Sequence, residues 1–352
     1  MDCNNIPHWC YNNQITSTER RHMHAAPTYL LSGSFAYDTI MHHPAPFEAS
    51  ILPEAVSRLN VCFDIGTVKD EFGGCGGNIA YNASLLGQSP MLVGCLGGDA
   101  TAYLTWLSKN GQDASTLALI PGEGSAHAWI TCDSAGNQIA GFSRGAMLRA
   151  PVVPAITPDL WHLAPEYPIN TATLARAALA LGKEYFFDPG QVLPDYLSGV
   201  ADSVMTLPEL LRNATGIFVN DYEAELLIAA TGQPLEHWLV EPGHFLLRTR
   251  GSNGVTLVVM GPGGVEVFES DVASASAIVD PTGCGDAFRA GFLMAYTAEE
   301  SFEQCLAMGV VMGSFAIEAH GGQKHEPTRE AIFGRVAKHT QTLSEVDVPA
   351  FA

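Results

Sequence analysis

Seven residues, Asp280-Pro281-Thr282-Gly283-Cys284-Gly285-Asp286, constrain this chain more than any other stretch. Small, turn-forming side chains run straight into the apolar, helix-like sequence Ala287-Phe288-Arg289-Ala290-Gly291-Phe292-Leu293-Met294. Glycines at 283 and 285 permit a tight bend with unshielded N–H groups, and a helix start adds the positive end of its dipole. Such a bend holds an anion. Asp286 falls in the first helical turn, where a carboxylate cannot itself be the anion ligand but can serve as general base for a group attacking a bound phosphate. The same residues also read as a glycine turn into a helix capped by Thr282 or Asp286.

Charge narrows the partners. The formal net charge of −20 leaves no clustered Lys and Arg for nucleic acid or an anionic membrane. A phosphate-binding enzyme this acidic must rely on backbone N–H groups, metal ions and a few placed cations. With 352 residues, 47% of them hydrophobic, the chain can bury a large core. Its eight cysteines include no Cys-x-x-Cys pair, which argues against a zinc site or disulfide framework and for a reduced, cytoplasmic protein whose cysteines are mostly small buried apolar residues. No apolar run reaches the roughly 18 residues of a membrane span. Residues 1–26 are polar, lack a signal-peptide apolar block and read as a loosely held extension.

From residue 27 onward, β-rich runs alternate with helical stretches, the pattern of an α/β fold with a mostly parallel sheet. The spacing predicts strands over 29–32, 91–95, 185–188, 217–220, 245–249 and 255–260, with 265–268 returning as a hairpin. It predicts helices over 78–86, 101–110, 171–181, 221–231, 286–297, 302–319 and 329–340. Two segments break the alternation, 39–72 and 124–147. They are expected to meet as a small β lid over the carboxyl edge of the sheet, where open α/β sheets bind ligands.

Further motifs carry chemistry. Gly73-Gly74-Cys75-Gly76-Gly77 runs into a helix at Asn78, and a G-x-G-x-x-G starting at Gly74 fails because Ile79 stands where glycine is required. Glycines this dense bring backbone close to a ligand or form a hinge, and Asn78 offers a donor and an acceptor to sugar hydroxyls or caps the helix. Asn220 and Glu223 share a helix face; they suit Mg2+ or its waters, and equally a capping box. Thr249-Arg250-Gly251-Ser252-Asn253-Gly254 is a glycine-bearing turn between strands that can track phosphates.

The order of these motifs resembles the ribokinase-like (PfkB) family of carbohydrate and nucleoside kinases over about residues 28–325. Gly33-Ser34-Phe35-Ala36-Tyr37-Asp38 after the first strand completes the set. The resemblance implies a three-layer sandwich around a mostly parallel central sheet, with a small β lid and the whole of 27–352 as one kinase domain. It implies that Asp286 is the base, that Gly283, Cys284 and Gly285 form the anion hole, and that Asp38 and Asn78 hold acceptor hydroxyls over Gly74. Asn220 and Glu223 would order Mg2+ through water, Asn220, Thr249, Gly251 and Gly254 would line ATP, and Asp280 with carbonyls near 319–322 would host a monovalent cation such as K+.

Within the family, Gln138-Ile139-Ala140, Gly145-Ala146-Met147, Asn220-Asp221-Tyr222-Glu223 and the run from Asp280 to Phe292 resemble bacterial adenosine kinases. Phe142 would then stack on a purine, or be simple core. At Ala164-Pro165-Glu166-Tyr167 the chain departs from that subgroup, where an Asn-Asp pair is expected. Arg289 is expected to pair with a structural carboxylate or to cancel charge near the phosphates, and His42-His43 has no metal role. The expectation is an ATP- and Mg2+-dependent kinase of a ribose-like hydroxymethyl group, adenosine first and fructose or ribose second, with a non-catalytic nucleotide or sugar sensor as a third reading. The lid's exposed face suits pairing with a second copy.

Overall fold

Alternating side chains split every central strand between two cores. In the computed structural model, which describes residues 28–346 apart from 52–57 and 59, the main sheet has eight strands: β1 (Leu30–Ser32), β4 (Met91–Val93), β9 (Leu160–Leu163), β10 (Glu184–Phe187), β11 (Gly216–Asn220), β12 (Phe245–Thr249), β13 (Val255–Gly261) and β14 (Gly264–Ser270). Phe186, Phe218, Leu247 and Leu257 face one core, while Phe187, Val219, Leu246 and Val258 face the other. The period-2 pattern thus buries both faces, as a sheet covered by helices requires.

The strand order is β14-β13-β12-β11-β10-β9-β1-β4. Pairs from β4 through β12 are parallel, and β12, β13 and β14 are antiparallel. Helices α1 (Cys75–Leu85), α2 (Thr101–Lys109), α7 (Cys284–Thr297) and α8 (Phe302–Ala316) supply the first core, with Ile332 and Val336 of α9 (Arg329–Val346). The second core takes α3 (Pro168–Ala180), α5 (Leu207–Asn213), α6 (Asp221–Thr231) and residues of the short α4 (Leu193–Leu197). This is the expected three-layer arrangement.

Two expectations need correction. The run 91–95 divides, because Gly94 lies against the Phe35 ring and the Gly33 carbonyl. Beyond it, β5 (Cys95–Gly97) leaves the main sheet to pair with β6 (Ala118–Ile120). The central strand β9, Leu-Trp-His-Leu, is short, and its buried histidine disguises it. The expectation of mostly buried cysteines also fails. Of the six free cysteines among the described residues, only Cys95 and Cys305 are buried.

The predicted lid forms a four-stranded sheet, β3-β2-β7-β8, from β2 (Ala36–His42), β3 (Thr67–Gly73), β7 (Ala126–Cys132) and β8 (Gln138–Ser143). It is wired directly to the site, since β2 follows β1 and β3 runs into α1. His43 stacks on Phe47 with its Nδ1 on the Asp64 carbonyl, a structural role. The extension 1–26 and lid residues 52–57 and 59 lie outside the described residues. Among the described residues no helix is long and apolar enough to cross a membrane.

Candidate active site

The turn before α7 is closed by its own residues. Gly283 is the N-cap at φ 75°, and a Cβ there would lie 2.5 Å from Cα of Gly322, so glycine is needed for conformation and for space. Asp280 clips two loops together: Oδ1 accepts the Thr282 N–H and Oδ2 the Gly321 N–H, each at 2.9 Å. Each oxygen of the expected cation ligand thus accepts one backbone N–H and keeps a further lone pair. The Cys284 N–H closes on the Pro281 carbonyl at 3.1 Å. That amide is spent, which corrects its expected share in the anion hole. Among the described residues no acceptor takes the N–H groups of Gly283, Gly285 or Asp286. These three amides stand open at the positive end of a helix of 14 residues.

Asp286 sits over α1. Its Oδ2 accepts from Asn78 Nδ2 at 2.8 Å, and Asn78 Oδ1 accepts from Gln323 Nε2 at 2.9 Å. Burial pushes the Asp286 carboxyl up to about 6, against the pull of Arg289 and the Asn78 hydrogen bond. Asn78, expected to hold acceptor hydroxyls, thus first orients the carboxylate; one N–H and one lone pair remain for a ligand. Cys75, at the start of α1, brings its thiol within 3.6 Å of Gln191 Nε2 beside the same carboxylate.

The lid supplies the opposite wall. Gly74 has φ 83°, and a Cβ there would lie 2.5 Å from the Ser34 carbonyl oxygen, so backbone meets backbone where β3 enters α1. A Cβ on Gly73 would strike Asp38 Oδ2 at 2.1 Å. Burial, and then the Glu71 charge, raises Asp38 to about 6. Across the lid, Glu71 pairs with Asp38, Asp38 with Ala128, and Ala128 with Phe142. Directly paired residues share a face, so one row carries two carboxylates, a methyl and a ring. Phe142 is 53% exposed and is not core.

At the other end, Asn220 and Glu223 form a complete capping box at the start of α6. Asn220 Oδ1 accepts the Glu223 N–H at 2.8 Å, while the Glu223 carboxylate takes Asn220 N–H at 2.8 Å and Nδ2 at 2.9 Å. Both carboxylate oxygens thus accept a hydrogen bond within the box. Burial, and next the nearby Asp188 charge, raise the Glu223 pKa. Thr249 ends β12 alongside Asn220. Gly251 sits in a 3-10 turn, and Gly254 has φ 80° with its Cβ position 2.2 Å from the Ser270 carbonyl oxygen. Only glycine fits there.

Arg289 meets the expected structural carboxylate, and more. It forks onto the buried Asp188 at the end of β10, with Nη2 2.9 Å from Oδ1, and its Nη1 donates to the Gly285 carbonyl at 3.0 Å. The departure at 164–167 is sealed away. Glu166 is 2% exposed, takes the Ser32 hydroxyl, and is raised by burial to about 7.

Sequence reasoning passed over Gln323, Lys324 and Asp188. Lys324 pairs with Glu71 of the lid, Gln323 steadies Asn78, and Asp188 anchors Arg289. A signal existed only for Asp188, the last residue of a predicted strand at the ligand-bearing edge.

The sequence pattern described as pfkB family carbohydrate kinase matches residues 37–329. The chain belongs to the PfkB family of carbohydrate kinases. The PfkB chain is 30% identical over 287 residues to a nucleoside kinase of Methanocaldococcus jannaschii, covering 80% of this chain and 90% of that protein. It superposes on the Burkholderia thailandensis nucleoside kinase in complex with inosine with a TM-score of 0.74 at 32% identity, covering 88% of this chain and 96% of that one. The crystal structure of the M. jannaschii nucleoside kinase gives 0.76 at 27% identity, with 89% and 99% covered. The motif residues of this PfkB kinase from Asp38 to Asp286 fall within the matched residues, while Gly33 to Ala36 of the first motif precede them.

Proposed function

We propose that this kinase transfers the γ-phosphoryl group of ATP to the hydroxymethyl oxygen of a purine nucleoside, adenosine being the first choice. The observation that carries the reading is the lid row of Asp38, Ala128 and Phe142. Two strand spacings, about 10 Å, separate a hydroxyl-binding carboxylate from an exposed ring. That leaves room for a ribose beside Asp38 and a base on Phe142, with Ala128 small enough to clear both. The nucleoside kinases to which the chain is similar, one of them bound to inosine, support the same choice.

In this mechanism Asn78 and Asp38 orient the acceptor, and Asp286 takes the proton of the attacking hydroxyl. The amides of Gly283, Gly285 and Asp286 face the charge that develops on the transferred group, where preorganised donors are worth most. The loop over 249–254 receives the nucleotide. Mg2+ supplies charge neutralisation between the phosphates when bound. Among the described residues no three acidic, His or Cys side chains form a metal cage. Asn220 and Glu223 would hold the Mg2+ ion through its waters. The intact base argues against a non-catalytic sensor.

ADP release measured with adenosine, inosine, ribose and fructose tests the substrate class. Turnover with the nucleosides is expected. Brisk turnover of fructose or ribose with none of either nucleoside overturns it in favour of a sugar kinase.

A further inference from the structure

Three carboxylates share one guanidinium at the floor of the cleft. Arg289 is 9% exposed, forked onto Asp188, which is 1% exposed, and the charges of Asp286 and Glu223 lie close enough to act on it. An ion pair whose only task was to join α7 to β10 would end at Asp188. Here the remaining nitrogen reaches back one helical turn, and Nη1 holds the Gly285 carbonyl at 3.0 Å. A Cβ on Gly285 would stand 2.9 Å from that nitrogen, so the guanidinium lies directly beneath the turn. The carbonyl it grips belongs to the peptide whose N–H is the open amide of Asp286.

We propose that Arg289 is a positioning residue of the transfer step: anchored by Asp188, it fixes the Gly285–Asp286 peptide so that its N–H points at the transferred phosphoryl group, and it sets a cation beside the base. This rests on Asp286 being that base. The groups facing Asp286 are Arg289 and Cys284 from its own helix, Cys75 and Asn78 from α1, Tyr103 from α2 and Asp188 from the end of β10. Arg289 is the one cation among them. His162 lies 3.9 Å from Asp188 Oδ2 but adds no charge, because burial and Arg289 hold it neutral, down at about 3. In an enzyme with a net charge of −20, this buried cation lets an acid-lined cleft admit a polyphosphate.

Two variants test the proposal, since stripping one partner from a buried pair costs stability. Arg289→Lys keeps the charge and loses the fork, and the double variant Asp188→Asn with Arg289→Gln removes both charges together. Each is read by melting temperature, kcat, acceptor KM and the pH profile of kcat/KM. In Arg289→Lys, kcat is expected to fall by about 10- to 100-fold with KM for the acceptor nearly unchanged. In the double variant the acid limb is expected to rise, by less than about one pH unit because loss of the Asp188 charge offsets part of the loss of Arg289. A folded Lys variant with normal kcat, or a folded double variant with an unmoved limb, overturns the proposal and leaves a structural ion pair. Asp286→Asn separates the two claims. If it retains activity, the base reading itself fails; if it is inactive while the Arg289 variants behave normally, only this proposal fails.

Discussion

Asn78 Nδ2 donates to Asp286 Oδ2 at 2.8 Å across 208 residues of chain. The contact joins the glycine-rich start of α1 to the open amides at the start of α7; in the proposed mechanism it thereby joins acceptor wall and phosphoryl wall at one carboxylate. Asn78→Ala should therefore reduce kcat, by about 10- to 100-fold, more than it raises acceptor KM. Steady-state kinetics over both substrates checks this. A change confined to KM would mean that Asn78 only binds sugar.

Activity should depend on pH through two carboxylates. A base must be ionised, and burial raises Asp286 to about 6 and Asp38, beside Glu71, to about 6. The profile of kcat/KM is expected to climb with pH through that region and level off above it, with an acid limb steeper than a single ionisation if both must be charged. Asp38→Asn should leave a limb of unit slope.

The same shift has a stability sign. The folded Asp286 pKa lies above its ordinary 3.8, so the folded state binds more protons between the two values. Stability is full below the ordinary pKa and is lost as pH rises through about 6. At pH 7.5, Asp286→Asn should therefore be more stable than the parent, by on the order of 1 to 3 kcal/mol in unfolding free energy, and melt higher, while losing activity. A lower melting point would show that the ionised carboxylate is instead favoured by its neighbours.

In the proposed reading Phe142 separates base from sugar. Phe142→Ala should raise KM for adenosine by about 10-fold, the value of one lost stacking contact, and leave fold stability nearly unchanged because the ring is 53% exposed. Equal effects on adenosine and ribose would remove the ring from the base site.

The core makes a contrasting case. Phe218 is fully buried and its ring meets Phe186, Phe245 and Phe292 at centroid distances of 5.7, 5.9 and 5.4 Å. Phe218→Ala should cost about 3–5 kcal/mol in denaturant unfolding.

What was legible in the sequence is what local physics dictates. Phe245–Thr249 and Asp221–Thr231 match their predicted bounds because period-2 burial and the Asn220 cap are local signals. The two lid segments stood out because they lacked a helical period. The strand β9 did not stand out, since His162 is tolerated there only by being buried and neutral, a tertiary circumstance. Within the site, the Gly283 turn and Asp286 were readable from spacing. The Asp188 anchor, the Gln323 brace on Asn78 and the Lys324 tether on Glu71 were not, because each is a contact between distant segments. Asn220 and Glu223 show the reverse case: a capping box and an Mg2+ pair look alike in sequence, and the hydrogen bonds show the box.

The most direct test of the central claim follows the product. Single-turnover reactions of adenosine with ATP, in the parent and in Asp286→Asn, are analysed for nucleoside 5′-monophosphate by mass spectrometry, with ATP affinity measured in parallel. The account predicts 5′-monophosphate and ADP from the parent, and a loss of at least about 1,000-fold in the variant with ATP binding retained. Near-normal 5′-monophosphate formation by Asp286→Asn would contradict it.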